Sequence, residues 1–492
     1  MEMKKPFYLT TTLPYVNADP HIGFAMEIIR ADVIARYKRI DNDVFFNTGT
    51  DEHGAKIHEG AVKNGVSVQE YVNGYAERFK DLMKVLNIND VHFIRTTDEK
   101  HIIAAQEMWK RCNDNGYIYK KIYQSKYCVG CELTKTDSEL VDGKCPLHPN
   151  REIELIDEEN YFFKFSAFQK PLLEFYEKHP DFVIPDFRFN EIRSFVERGL
   201  EDFSISRLKT KMPWGVSVPG DEDHVMYVWF DALTSYISTL DWPSEGNFEK
   251  YWVGGTPVQY CGKDNLRQQS AMWQAMLMAC GLPNSSHIII NGFITGADGQ
   301  KMSKSLGNVI SPFDVLDTFK DVTDFPEDVL RFVLLHDLPS FEDGGISMET
   351  IKASYTAYLA NGIGNLTSRI MKMATTYGVK YVDYLGGGEL DDKFHGIPGR
   401  WSVHMDSFDL KKSLESIWED INGLDAYIQR EEPFKKIKIN ESAAKHDVAY
   451  LLSSLLRLVN LLEPFLPKTS KKIQSLIREN KMPEKPLFNR LP

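Results

Sequence analysis

The chain has 492 residues, long for one domain, and its 42% hydrophobic content can fill two to four ordinary cores. Its formal net charge of −12, from 58 basic and 70 acidic residues, argues against a uniformly basic nucleic-acid binder. Residues 431–492 reverse that balance, with 12 Lys or Arg against 7 Asp or Glu, so a local basic surface remains available to phosphates.

No apolar signal core or small-residue cleavage site follows Lys4 and Lys5. The most lipid-like stretch, Val448 to Leu466, is interrupted by Arg457, Asn460 and Glu463. Leu451, Leu455, Leu458 and Leu462 mark it as one buried helix face. A cytoplasmic enzyme with no membrane partner is the expectation.

The apolar run from Phe7 to Leu13 predicts a buried strand. After Pro14-Tyr15-Val16-Asn17-Ala18-Asp19-Pro20-His21-Ile22-Gly23-Phe24 a helix opens, with Ile22, Met26, Ile29 and Val33 on one apolar face. Val44 to Gly49 predicts the next strand. Strand, loop, helix and strand in this order place a helix N-terminus at the carboxyl edge of a parallel sheet, where nucleotide phosphates bind. His21 can donate to a phosphate, and Gly23 leaves room for a base or ribose to approach the backbone. This half of the nucleotide fold is expected to span residues 1–115.

Near Gly116 the pattern changes to short strands, cysteines and turns, with helices around Gln169–His179 and Asn190–Arg198, which predicts an insertion over residues 116–225. Cys128-x2-Cys131, thirteen residues, then Cys145-x2-His148 is a metal-ligand spacing. Gly130 and Gly143 permit tight turns that aim the donors at one point. Four ligands close the coordination shell, so the ion is expected to be one structural zinc. Disulfides are disfavoured in a chain without an export signal. Cys112, Cys261 and Cys280 read as small buried hydrophobes.

From Tyr227 the alternation resumes, with strands at Pro257–Gly262 and His287–Gly292 and a helix at Gln268–Cys280. The second half of the nucleotide fold is expected over 226–335. A glycine-rich turn, Gly296-Ala297-Asp298-Gly299, then leads into Lys301-Met302-Ser303-Lys304-Ser305. Mobile lysines and hydroxyls suit a phosphate chain that gathers charge in a transition state. After about residue 336 strand signals vanish. Helical patterns at Ala353–Tyr377, Ser402–Arg430, Ala443–Leu462 and Lys468–Asn480 predict a helix bundle over 336–492, with Gly386-Gly387-Gly388 as a connection inside it.

The His21–Gly23 and Lys301–Ser305 elements resemble the HIGH and KMSKS signatures of class I aminoacyl-tRNA synthetases. Over nearly the whole length the chain resembles the methionyl-tRNA synthetase family. Further stretches that carry the likeness are Leu13-Pro14-Tyr15, Gly49-Thr50-Asp51-Glu52-His53-Gly54, Glu159-Asn160-Tyr161-Phe162-Phe163, Gly199 to Arg207, Tyr227 to Leu233, and Gly262-Lys263-Asp264. The resemblance implies a doubly wound parallel (Rossmann-type) sheet split by a zinc-knuckle insertion and followed by an α-helical bundle. It also implies activation of methionine with ATP and Mg2+, then transfer to the 3′ end of tRNA(Met), by an enzyme expected to be a monomer.

The same resemblance implies His21, Lys301 and Lys304 on the phosphates, with Gly23, Glu27 and Ser303 around the rest of ATP. Asp51 would hold the methionine ammonium group, and Leu13, Tyr15, Trp229, Ala232, Tyr236 and Asn291 would surround the side chain. The zinc ligands would be Cys128, Cys131, Cys145 and His148, and Asn365, Arg369 and Phe434 would meet the anticodon. Two positions depart from the family pattern. Phe24 stands where a polar residue closes the first signature, and Asn291 stands where a His is expected. Alternative readings are a synthetase for another small apolar amino acid and a catalytically silent tRNA-binding relative. A nucleotidylyltransferase is disfavoured by the long helical C-terminal region.

Overall fold

The structure, a computed structural model, describes residues 4–128, 133–135, 140–146, 149–150, 152–296, 299, 310–381 and 399–491. The segment Lys301–Ser305, the candidate ligands Cys131 and His148, and the glycine run at 386–388 lie outside them.

Six parallel strands form the central sheet, in the spatial order 92–95, 42–50, 5–11, 256–262, 287–291 and 183–184. Strand β1 (Lys5–Thr11) sits in the middle, between β2 (Asn42–Thr50) and the strand Thr256–Gly262. Chain order reverses across that boundary, as in a doubly wound nucleotide fold, and the crevice there lies at the carboxyl ends of the strands. The edge strand Val183–Ile184 was not foreseen: it comes from the region read as insertion, yet pairs with His287–Asn291 in the main sheet. Two residues are too few for a periodicity to show.

Alternation along the strands sends side chains to two separate cores. Phe7 and Leu9, with Val258, Tyr260 and Ile289, pack on the face covered by helix α1 (Ile22–Lys38). Tyr8, Cys261, Ile288 and Ile290 pack on the opposite face, against the helices Glu99–Asp114 and Trp273–Ala279. The sequence pattern assigned α1 a single apolar face, but it is buried nearly all round, Ile28, Ala31 and Ile34 included. A helix enclosed between a sheet and a second layer of helices has no solvent side to mark.

Two charges inside α1 explain how it is enclosed. Arg30, 1% exposed, donates to the carbonyls of Leu334, Pro339 and Ser340. Asp32 pairs with Arg331 at 2.7 Å, and Arg331, fully buried, also donates to the carbonyls of Pro464 and Phe465. The core on this face runs without a break from α1 into the helical region, through Leu330, Ile370, Trp418 and Leu455.

The helical bundle is present, with three local departures from the sequence reading. Gly344–Ile346 forms a short parallel strand against Ile294–Gly296, although no strand was expected beyond residue 336. The helix expected at Ala353–Tyr377 runs from Met348 as three segments, the middle one of π type, with non-helical backbone at Gly362. The pattern Ser402–Arg430 is broken at Phe408, which takes φ +60°, so Arg400–Asp406 and Leu410–Glu431 are separate helices. Among the described residues no helix is long and apolar enough to cross a membrane.

Candidate active site

A cavity of about 1000 Å3 opens in the crevice beside β1. The ends of the parallel strands deliver its floor: Thr12 and Leu13 after β1, Asp51 after β2, Gly262 and Asp264 after the next strand, and Asn291 at the last. The sheet pairing extends past β2 through the Tyr15–Asp51 bridge, with Asp51 N–H donating to Pro14 and Val16 N–H to Asp51. These two bonds fix the Asp51 backbone while its side chain faces the cavity.

Asp51 is 8% exposed, and its Oδ1 is buried with no hydrogen-bond partner. Burial, and then the nearby Asp231 carboxylate, push its pKa well above the ordinary Asp range. Its acidic neighbours have side-chain partners of their own. Glu52 is forked by Arg95 at 2.7 and 2.8 Å. Asp231 lies between His53, 2.6 Å from one oxygen, and His101, 2.7 Å from the other. Burial alone would push the Asp231 carboxyl up, but the two imidazoles outweigh it and hold it well below the usual range. A buried carboxylate oxygen without a partner is costly unless a cation joins it, which makes Asp51 a candidate cation site.

Around that carboxylate stand Leu13, Tyr15, Ala232 and Tyr236, all lining the cavity. Trp229 lines it too, but at 45% exposure it stands at the rim, edge-on to Tyr227. Asn291 is nearly buried; its Nδ2 donates to the Gly292 carbonyl and its Oδ1 is unpartnered. Unlike a His, it can hydrogen-bond here without taking up charge.

At the mouth, His21 is the N-cap of α1, its Nδ1 accepting from Gly23 N–H at 3.0 Å. That bond leaves the proton on Nε2, free to donate outward. Desolvation lowers the His21 pKa, with Asp264 pulling the other way. A Cβ on Gly23 would stand 2.8 Å from the His21 ring, so the close approach that requires glycine here is made by His21 itself. Phe24 packs edge-on against Phe79 at 4.9 Å and also lines the cavity. Glu27 accepts from Thr12 N–H at 3.0 Å and from the Thr12 hydroxyl, and burial pushes its pKa up to about 8.

The insertion contributes part of the wall, which the sequence did not reveal. Arg207, held over the Tyr227 ring and donating to Ser206 O at 2.7 Å, lines the cavity together with the ion pair Lys211–Glu158. Such contacts arise from long-range folding and carry no local motif.

Of the candidate zinc ligands, Cys128 ends the long strand Ile118–Cys128, and Cys145 is buried just after a turn in which Asp142 and Gly143 both take positive φ. No group of three or more potential metal ligands occurs among the described residues, which exclude Cys131 and His148. Cys112 and Cys280 are buried side by side, Sγ to Sγ 3.4 Å. In the helical region Arg369 and Phe434 line one cavity of about 390 Å3, with Lys372, Ile428 and Met482. Asn365, one turn before Arg369, is exposed outside it.

The family described as tRNA synthetases class I (M) matches residues 7–154 and 149–371. The methionine--tRNA ligase of Caldanaerobacter subterraneus is 39% identical over 96% of this chain and 74% of its own length. That of Thermosynechococcus vestitus is 39% identical over 96% and 90%. The chain belongs to the methionyl-tRNA synthetase family. In three dimensions it is similar to a Mycobacterium tuberculosis methionyl-tRNA synthetase solved with methionyl-adenylate, with a TM-score of 0.86 and 33% identity over 99% of this chain and 100% of that one.

Proposed function

We propose that this chain is a methionine--tRNA ligase: it activates L-methionine with ATP to methionyl-adenylate and transfers the methionyl group to the 3′ end of tRNA(Met). The observation that carries the reading is the buried Asp51 carboxylate, its Oδ1 unpartnered, beside an apolar and aromatic chamber at the carboxyl edge of the sheet. Asp51 receives the ammonium group, and Leu13, Tyr15, Trp229, Ala232, Tyr236 and Asn291 surround the thioether, a soft group favoured against aromatic rings. The methionine carboxylate attacks the α-phosphorus, so no protein nucleophile is needed and catalysis is positioning plus charge stabilisation. His21 donates from Nε2, Lys301, Ser303 and Lys304 reach the phosphates, and Gly23 and Glu27 border the nucleotide. Mg2+ enters with ATP and neutralises phosphate charge.

The spacing of the three cysteines and the histidine fits one structural zinc, which would tie the turns of the insertion together through Cys128, Cys131, Cys145 and His148. The helical domain reads the anticodon with Asn365, Arg369 and Phe434. The enzyme works as a cytoplasmic monomer, organised as 1–115, 116–225, 226–335 and 336–492. Amino-acid-dependent ATP–pyrophosphate exchange across all twenty amino acids tests the activity. Exchange strongest with methionine is expected. Equal exchange with leucine, valine or cysteine would remove the assignment, and no exchange at all in folded protein would favour the silent binder.

A further inference from the structure

Behind the chamber runs a chain of buried polar side chains that the activity as stated does not use. It links Tyr236, Gln269, Gln259, Ser285 and Gln274, none of them more than 4% exposed. These residues come from four elements that converge beside the sheet: the short helix Ser235–Ser238, the strand Thr256–Gly262, the helical run 268–279, and the loop before His287. Side-chain amides are ambiguous in isolation, because oxygen and nitrogen can exchange places. Here the surroundings fix every direction.

The chain is anchored at Gln274 by two backbone groups. Its Oε1 accepts from Ser285 N–H at 3.1 Å, which only an oxygen can do. Its Nε2 donates to the Gln269 carbonyl at 2.9 Å, which only a nitrogen can do. The second Nε2 hydrogen goes to Ser285 Oγ at 3.1 Å. Having accepted that bond, the Ser285 hydroxyl has its own proton to place, and Gln259 Oε1 receives it at 2.5 Å. Gln259 therefore turns its Nε2 to Gln269 Oε1, and Gln269 turns its Nε2 to the Tyr236 hydroxyl oxygen. Reversing Gln259 and Gln269 together would leave the Ser285 proton buried without an acceptor, a cost comparable to a lost hydrogen bond. The backbone of Tyr236 is pinned separately by the Tyr8 hydroxyl at 2.8 Å.

We propose that Gln274, Ser285, Gln259 and Gln269 form a direction-setting relay that makes the Tyr236 hydroxyl a hydrogen-bond donor toward the chamber. The relay selects side chains that carry an acceptor at the thioether position. Because Tyr236 already accepts from Gln269, its own proton is the free end of the chain, and Tyr236 lines the cavity. A thioether sulfur is a weak acceptor, whereas a methylene in its place accepts nothing. The relay residues are positioning residues, since they act only through Tyr236. The inference rests on methionine being the substrate of this chamber.

The test compares methionine with norleucine, which has a methylene for the sulfur, in ATP–pyrophosphate exchange. Ser285→Ala removes the proton that sets the direction, three hydrogen bonds from the Tyr236 hydroxyl. Gln259→Glu presents only acceptors when ionised, so Gln269 turns its carbonyl to Tyr236 and draws the hydroxyl proton backward. Each should lower the methionine-to-norleucine ratio of kcat/KM by at least about twofold. Ser285→Thr, which keeps the hydroxyl, should restore it. In a Tyr236→Phe background neither change should alter the ratio further. If both variants, still folded by thermal melting, slowed the two substrates equally, the chain would be packing only and the proposal would fall. Absence of methionine-dependent exchange in the unaltered protein would overturn the methionine reading, and the relay with it.

Discussion

Replacing Asp51 by Asn should separate binding from stability in opposite directions. The carboxylate has a buried, unpartnered Oδ1, while Glu52 and Asp231 beside it are already engaged by Arg95, His53 and His101. A methionine ammonium therefore gains most of its charge compensation from this one group. A hydrogen bond to a charged partner contributes ~1.5–3 kcal/mol, so Asp51→Asn should raise the methionine KM by roughly 10- to 150-fold. The KM for ATP should move little. Stability should change the other way. Because burial raises the Asp51 pKa, its ionised form opposes folding as pH climbs past the ordinary Asp range. Asn carries no charge to desolvate, so the ligand-free variant should melt ~1–3 °C higher at neutral pH. Pyrophosphate-exchange kinetics and calorimetry on the same preparation check both. An unchanged methionine KM, together with a lower melting temperature, would mean that Asp51 holds the sheet edge and not the substrate.

Lys304→Ala should slow activation by at least about tenfold, ~1.4 kcal/mol of transition-state stabilisation, with methionine affinity little changed in equilibrium binding. Metal analysis should find one zinc per chain, and chelation should loosen the insertion, seen by hydrogen exchange, before the nucleotide fold is disturbed. Phe434→Ala should weaken aminoacylation of tRNA(Met) by roughly fivefold or more while sparing tRNA-free exchange, since base stacking contributes about 1–3 kcal/mol. Glu27, with its pKa pushed up to about 8, favours folding in its protonated form; that contribution is complete below the usual Glu range and fades as pH rises to 8. Glu27→Gln should flatten the pH profile of ligand-free melting between pH 5 and 8.

What the sequence disclosed depended on how local the cause was. β1, α1 and β2 were legible because an apolar run, a helix-opening motif and a second apolar run succeed one another within 50 residues. Asp51 was legible through a motif, but its lack of a partner was not, since that depends on Arg95, His101 and Asp231 arriving from three later segments. Gly23 was read as making room for a ligand, whereas its backbone serves the His21 imidazole, an interaction only coordinates reveal. Val183–Ile184 and Gly344–Ile346 are strands because a neighbour offers them hydrogen bonds, not because of their residues. The break at Phe408 is similarly invisible, since a Phe at positive φ carries no glycine-like signal.

The Asp32–Arg331 pair has a consequence for how the molecule can be divided. α1 bears His21 at its start and Asp32 eleven residues on, ~16 Å along one rod. The same guanidinium that grips Asp32 is tethered to Pro464 and Phe465, far down the chain. A fragment ending near residue 335 would keep Arg331 but lose both carbonyl acceptors, exposing an apolar seam and leaving donors of a buried charge unmet. Shortening this protein from its C-terminal end should therefore stop beyond Phe465, and the helical bundle is expected to melt with the nucleotide fold as one cooperative unit.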